Sequence, residues 1–243
     1  MVEIAISIAV VAFALVAIIG VLPTGFQVQR ENREDTIIGQ EGMLWTEAIR
    51  NGALGMDYLT NHVEFIQRIE RRGTQVQTNT YRFGRDYWRG WEIIGLLTWP
   101  KYEEDQNGNW RMVRSQALVR ALTGSAADLA PTNQLAFTYL LEVEAMPFNP
   151  FTPTQTNWNA GGLSPEETLV RSNYWALARQ MEQNAWELKL TLRWPAELHP
   201  RLGLRTGQGH RTFRVLRSGV MAAAVTSQGL EARLLKPLQF KAQ

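Results

Sequence analysis

Residues 4–22, Ile-Ala-Ile-Ser-Ile-Ala-Val-Val-Ala-Phe-Ala-Leu-Val-Ala-Ile-Ile-Gly-Val-Leu, pass without a single charge, and one glutamate, Glu3, stands directly before them. As one helix such a run is about 28 Å long, close to the hydrocarbon thickness of a bilayer. A signal-peptide core is usually shorter, follows a basic region and ends at a small-residue cleavage site, whereas this run continues into Pro23-Thr24-Gly25-Phe26. A core helix of a soluble protein would need cover on every face. The reading that fits is a single transmembrane helix in residues 1–25, with Ile4, Ile8, Val11, Phe13, Leu15, Ile18 and Leu22 among its apolar positions and a bend expected at Pro23 and Gly25. A generic anchor leaves Glu3 unexplained, because no Lys or Arg precedes it as a partner.

Met1 to Leu15 (MVEIAISIAVVAFAL), followed by Pro23 and a polar amphipathic continuation, resembles the start of a mature type IV pilin or type II secretion pseudopilin. The resemblance covers roughly the first fifth of the chain. In that family a leader ending in Gly is removed, the new N-terminal residue, often Phe, is methylated, and a glutamate follows shortly. The family pattern sets an aromatic and two further residues ahead of the Val-Glu pair, so Met1 is expected at an internal position with the leader absent. The resemblance implies an α+β fold, a long N-terminal helix packed on a C-terminal antiparallel sheet. It also implies a subunit held in the inner membrane by one pass, with residues 26–243 exported to the periplasm or a surface filament. Its implied partners are copies of itself or other pilin-like subunits, inner-membrane lipid before assembly, the assembly machinery and prepilin peptidase.

In that setting Glu3 acquires a task. A carboxylate at membrane depth is costly unless a cation meets it, and in a filament the amino terminus of a neighbouring subunit supplies one, so pairing would reward correct axial register. At headgroup level Glu3 would instead favour the positive end of its own helix, worth a few tenths to about 1 kcal/mol. Arg30 and Arg33 are the first basic residues after the span, which by charge bias alone would turn that side to the cytoplasm. A leader carrying Lys or Arg, as the resemblance implies, restores export of the domain.

The remaining chain is long enough for one domain. A net charge of +2 gives nucleic-acid binding little support, and the absence of cysteine excludes disulfides, thiol catalysis and thiolate-bound metals. His62, His199 and His210 lack ligand-like spacing, and no nucleophile elbow, phosphate-binding loop or His-Glu-x-x-His pair occurs. An enzyme is therefore not expected. No cofactor is expected either, with only a faint calcium-like spacing at Asp105, Asn107 and Asn109, where the glycine falls in the wrong place and no closing glutamate follows.

Ile37, Ile38, Glu41, Leu44, Trp45, Ala48 and Ile49 recur at three- and four-residue spacing and extend the first helix to Asn51-Gly52. Residues 53–71 read as a second helix through Leu54, Tyr58, Leu59, Val63, Ile66 and Ile69. Trp91–Trp99 and Trp110–Val113 read as the arms of a hairpin about the Asn107-Gly108 turn. Residues 117–127 fit a helix or a strand equally. Pro147, Pro150 and Pro153 mark a loop over 147–163 whose Phe148, Phe151 and Trp158 serve either as a binding surface or as pins to the core. Ser164-Pro165-Glu166-Glu167 opens a helix with a capping box, and Leu169, Tyr174, Leu177 and Met181 form its expected buried stripe. Residues 186–194 and 212–217 alternate as half-buried strands, and Pro195–His210 reads as a loop.

The function expected is a structural one, a minor pilin or pseudopilin of a type IV pilus-like or type II secretion-like filament. The second reading is a single-pass, membrane-anchored periplasmic binding or adaptor protein that does not polymerise.

Overall fold

The computed structural model describes residues 2–51, 56–104, 110–123, 137–199 and 203–241, with only the backbone of residues 21, 23 and 24. It divides into two compact units, Met1–Gln40 and Glu41–Gln243.

The described residues of the first unit are all helical. Helix α1 runs without interruption from Val2 to Arg50 and so continues into the second unit. Gly25 lies inside it, as does the backbone of Pro23. Beyond the apolar run the surface is laced by pairs one turn apart, Arg30 with Glu34 at 2.8 Å and Gln27 with Glu31 at 3.2 Å. Such pairs support an exposed polar helix.

The second unit is α+β, as expected. Among the described residues seven strands form one antiparallel sheet in the order β2-β1-β4-β5-β6-β7, with β3 pairing to β4. The strands are β1 (Val63–Arg72), β2 (Gln75–Tyr81), β3 (Tyr102–Glu104), β4 (Trp110–Arg120), β5 (Thr138–Pro147), β6 (Ala185–His199) and β7 (Gly203–Ser218). A separate ribbon joins β8 (Val220–Val225) to β9 (Glu231–Lys236). One face of the large sheet carries the core, where Tyr139, Leu141, Leu188, Leu190 and Leu192 are buried with Trp45, Ala48 and Ile49 from the end of α1. Alternation along β6 is the direct sequence cause: Trp186, Leu188, Leu190, Leu192 and Trp194 turn inward and the residues between them turn outward.

Several expectations are corrected. Residues 57–71 do not form the expected helix: a single 3-10 turn, Asp57–Asn61, leads into β1. A bulge between Val63 and Phe65 puts apolar residues on both sheet faces. Phe65 joins Leu118, Leu140 and Ala196 on one side, while Ile66 is buried among the rest of the core. That two-sided burial breaks the period of two and imitates a helical stripe. Residues 91–99 are not a strand, because Gly90–Leu97 forms helix α2, with Ile93, Ile94, Leu96 and Leu97 all fully buried. A short apolar run covered on every side has no periodicity to read. The hairpin arm facing β4 is β3, with Tyr102 opposite Met112 and Glu104 opposite Trp110. Its turn, with Asp105, Asn107 and Asn109, lies outside the described residues. The ambiguous 117–127 stretch is strand as far as Arg120. Pro195–His210 is mostly not loop either: β6 continues to His199 and β7 begins at Gly203, after a second bulge between Trp194 and Ala196.

Candidate functional site

The first candidate is the beginning of α1. Glu3 lies in its first turn, and among the described residues its carboxylate has no hydrogen-bond or ion-pair partner; only its backbone carbonyl is engaged, accepting from the Ser7 hydroxyl at 2.9 Å. Ile4, Ile8, Val11, Phe13, Leu15, Ile18 and Leu22 are all exposed, from 46 % at Leu22 to 78 % at Phe13. The helix is long and apolar enough to cross a membrane, and none of its most apolar window is buried by its own chain. Burying one such side chain is worth about 1.5–3 kcal/mol, so the segment has a strong preference for lipid or for other apolar helices.

At the other end of the same helix a second glutamate meets the reverse condition. Glu41 is fully buried. Its Oε1 accepts from the backbone N–H groups of Leu122 and Thr123, both at 2.7 Å, and from the Thr123 hydroxyl at 2.8 Å. Its Oε2 accepts from the Tyr139 hydroxyl at 2.6 Å, and Tyr139 in turn accepts from Trp45 Nε1 at 2.7 Å. Burial, and then the Glu41 charge beside it, push the Tyr139 phenol well above its ordinary value. A buried carboxylate satisfied wholly by donors in this way anchors the helix end to β5 and to the exit of β4. One turn is also fitted by size: Gly42 faces the Phe213 ring of β7, which a side chain at position 42 would overlap.

Two further devices fix the domain. Glu92 of α2 is fully buried and accepts from Trp88 N at 2.6 Å, Arg89 N at 3.0 Å and Ser227 N at 2.6 Å, joining the start of α2 to the β8–β9 turn. Around the buried Trp99 ring stand three guanidinium groups, those of Arg68 at 4.3 Å, Arg233 at 4.7 Å and Arg111 at 5.5 Å. Glu70 bridges Arg68 and Arg111, both at 2.9 Å, and Glu103 bridges Arg111 at 2.6 Å and Arg233 at 2.5 Å. These cations and carboxylates consume one another, which gives the cluster a structural task.

Helix α3 (Pro153–Thr156) and helix α4 (Pro165–Asn184) carry the aromatic loop. The expected capping box is present, with Ser164 and Glu167 exchanging hydrogen bonds at 3.2 and 2.9 Å. The expected buried stripe is not: Leu169, Tyr174, Leu177 and Met181 are exposed, and Ala178 and Asn184 are the residues of α4 that are buried. Loop rings pack on this helix, Phe151 against Tyr174 at 5.3 Å and Trp158 against Trp175 at 6.4 Å between centroids. The loop is thus pinned by its aromatics, but to α4.

The histidines stand apart. His62 caps the 3-10 turn with Nδ1 3.1 Å from the Ala121 carbonyl, His199 ends β6 and His210 lies on β7. Among the described residues no group of His, Asp or Glu could hold a metal ion. Neither a family model, nor a curated protein, nor a solved structure matches the chain.

Proposed function

We propose that this chain is a structural subunit, a minor pilin or pseudopilin, of a type IV pilus-like or type II secretion-like filament. In this reading residues 4–22 hold it in the inner membrane before assembly, with the domain exported, and then join the filament core. One observation carries the reading: an uncharged helical segment that its own chain leaves uncovered is joined to a domain whose core is built without it. Transfer from lipid to other apolar helices exchanges one hydrocarbon environment for another, so the same surface serves both states at little net cost in burial. Close helix packing then decides which neighbours are accepted.

Glu3 fits the same scheme. Its own domain offers it nothing among the described residues, and a neighbouring subunit's amino terminus would neutralise it at a single axial offset. Processing by a prepilin peptidase and methylation of the new amino terminus belong to this reading.

The test is cryo-electron microscopy of purified assemblies containing the protein. The expected result is a filament with residues 4–22 of several subunits bundled at its axis and Glu3 within hydrogen-bond distance of an adjacent amino terminus. Recovery of single copies in the membrane fraction, with no filament, would overturn it in favour of an anchored adaptor.

A further inference from the structure

One strand of the folded unit carries basic residues without any acidic one. β7 carries Arg205, Arg211, Arg214 and Arg217 and no Asp or Glu in its sixteen residues. It is the terminal strand of the large sheet, so its side turned away from β6 has no strand partner among the described residues. Glu197 stands opposite Arg205 and Glu187 approaches Arg214 to 3.7 Å, while Arg217 Nε is enclosed without an acceptor among the described residues. Alternation puts Phe213 and Val215, both half-buried, on the core face with Arg211 and Arg217, and puts Arg214 on the other face with the exposed Leu216.

A long edge offers a row of backbone donors and acceptors, and its side chains select what pairs with it. We propose that β7 receives an extended acidic segment of a different protein chain, added to the sheet as its next strand. Carboxylates of that segment would meet Arg214 on the outer face, and its apolar side chains would lie along Phe213 and Val215 on the core face. Charge selects against a second copy of this chain. Two β7 strands would set arginine against arginine, and the opposite edge, β2, has no charged residue to offer. A polyanion such as nucleic acid could use the arginines but not the backbone row. This inference requires only the sheet edge and stands whether or not the chain enters a filament.

The test uses the full chain in lipid nanodiscs, titrated with a ten-residue peptide alternating Glu with Val and Thr, with the same peptide carrying Gln for Glu, and with a single-stranded oligonucleotide. The acidic peptide should bind at least about tenfold more tightly than the Gln version, because complementary charge sets partner choice. It should also slow amide exchange across residues 212–218. Arg214→Glu should reduce its affinity by about tenfold or more, each tenfold being one decade in Kd. Arg214→Ser, at a largely exposed side chain, should weaken binding less and serves if Arg214→Glu fails to fold. Equal binding of the two peptides, unchanged exchange on β7, or preference for the oligonucleotide would each overturn the proposal.

Discussion

Glu3 and Glu41 belong to one helix and meet opposite environments. Glu41 is enclosed, with four donors closing on its two oxygens, while Glu3 begins an exposed apolar run and has no carboxylate partner among the described residues. The contrast separates two kinds of buried or burial-prone charge. One is satisfied by folding, and so contributes to the stability of a single chain. The other has no partner in its own chain among the described residues, and in the proposed filament it would contribute to choice of neighbour.

The comparison breaks most sharply at Glu41. Glu41→Ala strands two partly buried N–H groups and two hydroxyls, and each buried donor left unsatisfied costs about 1–3 kcal/mol. Chemical unfolding of the full chain in detergent, followed by tryptophan fluorescence, should show that loss, whereas Glu3→Ala should leave the midpoint unmoved. Equal effects would erase the distinction. Next comes Gly90, where a methyl group would overlap the Met56 carbonyl and whose own N–H donates to Asp57 at 2.9 Å. Gly90→Ala should cost about 1–3 kcal/mol in the same assay, since backbone on both sides must shift.

Acid sharpens the contrast in another way. Burial pushes the Glu103 carboxyl up, but hydrogen bonds and charge from Arg233 and Arg111 outweigh it and hold the group below its ordinary value of 4.5. A carboxyl depressed by folding stabilises the fold fully above that ordinary value and loses the contribution as pH falls through its own lower one. Unfolding midpoints should therefore be level near neutrality and decline below about pH 4.5, with a shallower decline in Glu103→Gln. The smallest effect is expected at Ser164→Ala, about 1 kcal/mol or less, from loss of the α4 cap. Amide exchange in the first turn of α4 reads it directly.

What the sequence revealed was local. The uncharged run, the capping box at Ser164 and the alternation of residues 186–194 each state their structure within one or two turns or a few strand residues, and α1, α4 and β6 follow them. The failures have non-local causes. Residues 91–97 conceal a helix because tertiary cover on all sides removes its period, and residues 63–71 conceal a strand because a bulge turns neighbouring apolar residues to opposite faces. Gly and Pro in 195–210 suggested a loop, yet the pairing of Glu197 with Arg205 and Arg193 with His210 carries the hairpin through them. Glu41 showed only as a polar residue in an apolar stripe, since its partners lie 81 to 98 residues away. Glu3, by contrast, was conspicuous because it is a lone charge set directly against an uncharged run of nineteen residues, Ile4 to Leu22.

Glu3 is proposed to serve a neighbouring subunit. The most direct measurement is incorporation of Glu3→Ala into purified filaments alongside the native chain, with membrane insertion of both followed by carbonate extraction. The account predicts normal insertion and loss of incorporation. Incorporation at the native level would contradict it.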